Sequence, residues 1–498
     1  MLQLVLTWTI SRALIVSSLA VPISLMVCRM AGTRSTRIRT LRRHPVLLAA
    51  LVPLFMPDLL TGFTYRLTSA RLIHSVVATE LLYGGLLLCR VTALQLAVLL
   101  ILPSSAISRQ SIHSWKLLRT SGRPNWYRTW LRMLVLGPYR SVLVAWIGGM
   151  LLCFQEFETA ALLQIDRHPV VWAVWLFDAH AAGEPLSVSL SFAARSLLFQ
   201  LALLLPAILL LRVGGRRQVS LPPGAAADAG LFAGRPALDS ASTGRGMVWA
   251  VRWLILCSLV VTFVWPVASN LTALAGGFRT LVAQGGLVAR IRQIGFSLLD
   301  CMLVAGAALA IGRWLWRRSD SFLTVAVLLP GLCGSLVLSL ILLAAFQLPV
   351  LNRVYDSWLP MLLGQTLWLL PRAFLLVAVL SVLTPQTSIH GAILLRATGS
   401  RLLVATARQL VFRLRNVRWL LAVGILTHWC FWDVTIVSVL RPVRFEPIVT
   451  RLYNEMHFGR TETLVALTCL SLLIPLTVFV VTGMIWKVVA VPGNVRHD

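Results

Sequence analysis

Few residues in this 498-residue chain could do chemistry, and they do not converge. Its nine histidines are scattered, and no two stand at the i, i+4 spacing that would put both imidazoles on one helical face to hold a metal. The nearest approach to a catalytic pair is His428 with Asp433, close to the end of an apolar run, where a packing pair is the simpler reading. A nucleotide-binding P-loop needs GxxxxGK followed by Ser or Thr, because the Lys and the backbone amides hold the phosphates. The two lysines, Lys116 and Lys487, each follow a Trp, so no such loop exists. The eight cysteines fall singly in or beside apolar runs with no CxxC spacing, which argues against a zinc site or a disulfide framework. Neither an enzyme nor a cofactor in this chain is expected.

Among the charges inside apolar runs, Arg90 and Arg372 stand at equivalent places, and Glu80 and Asp300 are the clear intramembrane acids. An Arg at a bilayer centre costs about 2.5 to 3.5 kcal/mol on insertion scales unless it finds a partner. Arg90 and Arg372 are therefore expected to face a bundle interior. There they would pair with an acid such as Glu80, line the path of an anionic or chelated substrate, or bind carbonyls and lock helices together.

The surrounding elements are those of a membrane protein, with 58% hydrophobic residues and a mean hydropathy of +0.83. A spanning helix needs about 20 apolar residues. Eleven runs qualify, at 4–28, 45–65, 75–102, 141–163, 187–211, 248–268, 288–312, 321–346, 357–383, 418–440 and 463–486. The first is too long for a signal-peptide core and is read as a retained helix. The formal charge of +28 is nearly all Arg and sits in short clusters between these runs, which makes it a topology signal and not a nucleic-acid face. Residues 29–43 hold six positive residues and no acid, 104–140 hold seven, and 385–418 hold six. Most acids fall in the alternate loops, which predicts an N-terminus outside and a C-terminus in the cytoplasm. The weakest fit is the outer loop at 441–460, which contains four Arg.

One phrase recurs. Residues 111–122 read SIHSWKLLRTSG and residues 388–399 read SIHGAILLRATG, identical at seven of twelve positions. Each follows a long apolar run whose Arg stands thirteen residues ahead of a Pro, Arg90 before Pro103 and Arg372 before Pro385. VPLFMPDLLTGF upstream of the first copy resembles VLLPGLCGSLVL upstream of the second, and PVVWAVWLFDAHAAGEP downstream faces PIVTRLYNEMHFGRTE. These echoes predict two repeats in parallel order, 1–212 and 248–498. A Gly-, Ala- and Pro-rich linker at 213–247 would separate them, with five helices in the first repeat and six in the second.

Two membrane repeats, each with a basic, Gly-containing loop before its last two helices, resemble the fused permease subunits of type I ABC importers, in the ferric iron and thiamine group. The family pattern, E-A-A, three residues, Gly, nine residues, I-x-L-P, falls with its Gly on Gly122 and Gly399 and its alanines on Leu117 with Leu118 and Leu394 with Leu395. The chain departs from it at Lys116 and Ile393, where the family has Glu, and in lacking the Leu-Pro ending. QEFETAALL at 155–163 and the block 441–459 are similar to segments that follow this loop in the family.

The resemblance implies an all-α fold with coupling helices in the loops 104–140 and 385–417. Leu118 and Leu395 would form a small apolar face, with Arg119 and Arg396 beside it, for docking to ABC ATPase subunits, two per chain, that bind ATP. It also implies an external substrate-binding protein, a bacterial inner membrane, and twelve helices, as though this chain lacked the first. An ion-gradient-driven transporter with two repeats is the rival reading.

Overall fold

The computed structural model describes residues 2–30, 45–102, 109–122, 125–163, 170–219, 245–283, 285–318, 321–383, 386–397, 401–412, 416–457 and 461–490. All regular structure among them is helical. Seven helices are long and apolar enough to cross a bilayer, or up to ten if each of three sharply bent pairs makes one crossing. The chain is thus a multi-pass, all-α membrane protein, with seven to ten candidate crossings among the described residues where the sequence suggests eleven.

Apolar length alone hides breaks. The expected span 45–65 is a helix α2 (Pro45–Leu51) and a helix α3 (Asp58–Leu72) bent by 79°, with Pro53 and Pro57 between them. The span 321–346 is bent by 100° at Gly334, whose φ of +88° few other residues would adopt. The spans 141–163 and 418–440 are each interrupted at a buried acid, Glu156 or Asp433.

The chain forms two compact units. In the first, α1 (Leu2–Met30), α4 (Val76–Ile101) and α7 (Arg140–Gln155) pack against one another. Gly149 lies where they meet, and a Cβ there would stand 2.7 Å from both Gln95 Nε2 and Ser17 Oγ. That approach lets Ser17 Oγ donate to Trp146 O (2.7 Å) and Gln95 Nε2 donate to Ser17 O (3.0 Å). Around this bundle lie α5 (Arg109–Thr120), α6 (Trp126–Leu136), α8 (Glu158–Leu163), α9 (Trp172–Ala181) and most of α10 (Leu186–Val219). The next helix, α11 (Arg245–Leu259), passes through a π-helical turn at Val260–Val264 into α12 (Trp265–Ala283).

In the second unit α13 (Leu287–Arg317) leads to the bent pair α14 (Ser321–Leu332) and α15 (Ser335–Phe346), then α16 (Leu359–Leu383). After it come α17 (Gln386–Ala397), α18 (Arg401–Val411), α19 (Val417–Phe431), α20 (Thr435–Leu440), α21 (Ile448–His457) and α22 (Thr461–Ala490). The core is α13 packed on α16 and α19. Pro371 in α16 has no N–H to give the Leu367 carbonyl, and Gly331 of α14 lies against that oxygen. A Cβ on Gly331 would come within 2.1 Å of it.

Helix order and length match between the units. The helices α5 and α17 have 12 residues each, α6 and α18 have 11, α8 and α20 have 6, and α9 and α21 have 10. Contacts match too. Trp172, the first residue of α9, donates its N–H to Thr9 Oγ1 of α1 (3.1 Å), and Ile448, the first residue of α21, donates its N–H to Ser297 Oγ of α13 (3.0 Å). Ser24 Oγ of α1 donates to Thr92 O of α4 (3.2 Å), while Gly312 of α13 would bring a Cβ 3.2 Å from Phe374 N of α16. Thr92 and Phe374 each stand nine residues before the end of their helix.

Candidate functional site

Two places in each unit carry the polar residues that could act: the short helix after the long Arg-bearing one, and the buried polar end of the three-helix core.

The short helices are α5 and α17. Each begins two residues before its SIH sequence, and their last residues, Thr120 and Ala397, align in the repeated phrase. The end of α5 is closed by its own hydroxyls, with Thr120 Oγ1 donating to Lys116 O (3.1 Å) and Ser121 Oγ to Leu118 O (3.0 Å). Gly122 follows at φ +67°, the left-handed stop that its lack of a Cβ permits. Gly399, like Pro103 and Pro385, lies outside the described residues. The apolar face differs from the expected one. Leu117 and Leu394 are exposed, at 58% and 57%, whereas Leu118 and Leu395 are half-buried. Ile393 is also exposed, in the place where α5 has the exposed Lys116. Arg396 is the penultimate residue of α17. Arg119 is engaged within its own hairpin, its guanidinium 5.8 Å from the ring of Trp115 and 5.4 Å from that of Trp126 of α6. Trp115 packs in turn on Trp130 at 4.4 Å.

At the polar end of the first core, Glu80 is held by α1. Arg12 Nε and Nη2 donate to its two carboxylate oxygens (2.8 and 2.6 Å), and Trp8 Nε1 donates to Oε1 (2.9 Å). This paired geometry is the strong form of an Arg–carboxylate contact. Arg12 Nη2 also donates to Val170 O (3.0 Å), two residues before α9, and the guanidinium lies 5.0 Å from the Tyr83 ring. The fully buried Tyr83 hydroxyl donates to Glu156 Oε2 (2.5 Å). Glu156 Oε1 accepts the Thr159 N–H (2.6 Å), so the acid in the chain break caps α8. The partner of Glu80 is therefore Arg12, and Arg90 stands ten residues on, about 15 Å further along α4.

The second core uses the same positions differently. Asp433 Oδ2 accepts the Ile436 N–H (3.2 Å) and caps α20 as Glu156 caps α8, which accounts for the acid of the His428–Asp433 pair. Eighteen residues before the end of α16, the place Tyr83 holds in α4, stands Gln365, and three residues after Ser297, the place Arg12 holds after Thr9, stands Asp300. All three are buried, and no protein donor among the described residues reaches Gln365 Oε1 or Asp433 Oδ1. Gln293 Nε2 donates to Glu446 O (2.6 Å), two residues before α21, as Arg12 does before α9.

Arg90 and Arg372 each stand eleven residues before the end of their helix. The Arg372 guanidinium lies 3.8 Å from the Trp368 ring and 6.0 Å from that of Trp429 of α19, and donates weakly to Trp368 O (3.5 Å). Arg372 thus faces the third helix of its own core. Arg90 is half-buried.

No protein-family model matches the chain, and no curated protein or solved structure matches it.

Proposed function

We propose that this chain is an internally duplicated permease subunit of an ATP-driven importer of the type I ABC class, in a bacterial inner membrane. The solute is ferric iron or another small solute of that group, delivered by an external binding protein. The observation that carries this reading is the pair α5 and α17. Two twelve-residue helices, each ending in the same register, each follow a helix with an Arg eleven residues from its end, and each offers one exposed Leu on a basic segment without acids. Short exposed apolar knobs on basic segments suit a groove on a partner chain, and two equivalent knobs suit two copies of it. In this reading ATP is bound by those partners. Their closure would push on α5 and α17 and rock the helix cores to which these are joined.

The duplication is part of the proposal, supported by matching element lengths and by the Thr9–Trp172 and Ser297–Ile448 contacts. Arg90 and Arg372 serve in it as locks between helices, as the aromatic cage of Arg372 favours.

The breaks at Gly334, Glu156 and Asp433 favour a second reading, an ion-driven transporter, because such proteins build sites at interrupted helices. Its supply of free acids is small. Glu80 is neutralised by Arg12, and Glu156 and Asp433 each cap a helix, which leaves Asp300, buried in α13, as the acid this reading would use.

The test is transport into proteoliposomes with the cognate ATPase. We expect uptake to require ATP, and Leu117→Asp or Leu394→Asp to reduce it roughly tenfold, a loss of about 1.4 kcal/mol of coupling, at unchanged protein level and melting temperature. Uptake driven by an ion gradient with no ATPase present would overturn the proposal in favour of the second reading.

A further inference from the structure

An open groove of about 570 Å³ runs between α13 and α19 of the second unit. Its floor is apolar, made by Gly306, Leu309 and Ala310. At the end of α13 stand Arg313 and Arg317, one turn apart, and the walls are Trp314 and Trp419. The Arg313 guanidinium lies 5.2 Å from the Trp419 ring, which sets it at the mouth. Arg318 packs 4.5 Å from the ring of Trp314, itself 44% exposed, so the groove opens outward. No atom lies within 4 Å of a Cβ built on Gly306.

The matched place in the first unit has different residues. Counting from the matched hydroxyls of Thr9 and Ser297, Gly306 corresponds to Ser18, whose hydroxyl accepts the Trp146 Nε1–H at 3.1 Å and so carries an indole across the floor. Leu25 stands where the second unit has Arg313, and Arg29 where it has Arg317. The paired Arg at the end of α13 are therefore particular to the second unit.

We propose that this groove binds an anionic phospholipid, one acyl chain along Gly306–Ala310 and the phosphate between Arg313 and Arg317. An apolar floor on a membrane helix has hydrocarbon as its neighbour, and an acyl chain fills it without leaving polar groups unpaired. Guanidinium groups at a helix end meet phosphate oxygens in paired geometry, and a basic pocket between membrane helices attracts anionic headgroups by about 1 kcal/mol per Arg. A zwitterionic headgroup brings its own cation and gains less. Free phosphate would satisfy the Arg pair and leave the floor empty. The site stands independently of the transport reading.

Native mass spectrometry of the full chain in detergent, with dioleoyl-phosphatidylglycerol and dioleoyl-phosphatidylcholine competing at equal concentration, tests it. We expect phosphatidylglycerol to be retained about tenfold or more over phosphatidylcholine. The double substitution Arg313→Gln with Arg317→Gln should bring the ratio near one. Gly306→Leu, which meets no neighbour on its first carbon, should remove the retained lipid of either kind. Helix content and melting temperature report that each variant is folded. Equal retention of the two lipids by the unaltered chain, an unchanged ratio in the double variant, or release of phosphatidylglycerol by about 10 mM inorganic phosphate would each overturn the proposal.

Discussion

Arg12 in the first unit and Asp300 in the second stand three residues past hydroxyls that do the same work, yet they carry opposite charges. Around Arg12 a complete network has formed, running from Trp8 through Glu80 and from Tyr83 to Glu156 and the α8 amides. The matched positions in the second unit hold Asp300, Gln365 and Asp433, and two of their oxygens receive no protein donor among the described residues. The features the two cores share are backbone devices: an acid that caps a six-residue helix, a hydroxyl that receives the first amide of the ten-residue helix, and a close crossing at Ser24 or Gly312. Helix caps and crossings set the geometry, while the side chains between them vary as long as buried polar groups are paired or reach water.

This contrast can be broken most severely at Gly331. Gly331→Ala puts a Cβ against the Leu367 carbonyl, which cannot give way as a side chain could, and should cost about 3 kcal/mol or more by overpacking. Gly148→Ala, with no atom within 4 Å of the new carbon, should leave thermal unfolding in detergent unchanged.

Next comes the charge contrast itself. Arg12→Leu strips the partner from a largely buried carboxylate and should cost about 3 kcal/mol. Asp300→Asn removes no ion pair present in the second core, so its effect should stay below about 1 kcal/mol. A melting series that ranked the two the other way would dissolve the comparison.

Tyr83→Phe leaves Glu156 short of a buried donor and should cost about 1 to 3 kcal/mol, whereas Gln365→Leu, at the matched place, removes an unsatisfied oxygen and should be near neutral or stabilising. The smallest effect is expected at Arg119→Gln, which loses an exposed stacking contact worth about 0.5 to 1 kcal/mol and should loosen α5 against α6 without unfolding either core. Hydrogen exchange in 109–136 reads that loosening.

Much of this architecture was legible in the sequence. Apolar length marks α1, α4, α10, α13, α16 and α22, because each is one unbroken apolar helix long enough to cross a bilayer. The quoted echoes fall on matching elements: the VPLFMPDLLTGF pair on the two bent segments, and the PVVWAVW pair on α9 and α21. The interruptions were not legible, since a hydropathy window averages over Glu156 and Asp433, whose charges are hidden by capping six-residue helices. The Arg12–Glu80 pair joins two helices 68 residues apart in sequence, which no local pattern announces. Trp8 and Arg12 at i, i+4 and Glu80 and Tyr83 at i, i+3 have spacings that put each couple on one helical face without naming its partner. Which Leu of α5 and α17 faces outward depends on the rotation of a helix about its own axis, and that is set by packing around Trp115 and not by the spelling of the loop.

The central claim, that α5 and α17 are two equivalent contacts for one kind of ATPase, is tested most directly by a photo-crosslinking amino acid placed at Leu117 and, separately, at Leu394 in the membrane-embedded chain. We expect both positions to join the same P-loop ATPase polypeptide with comparable yield, and more strongly when ATP is bound. Crosslinking to no ATPase from either position, or to an ATPase from only one, would contradict it.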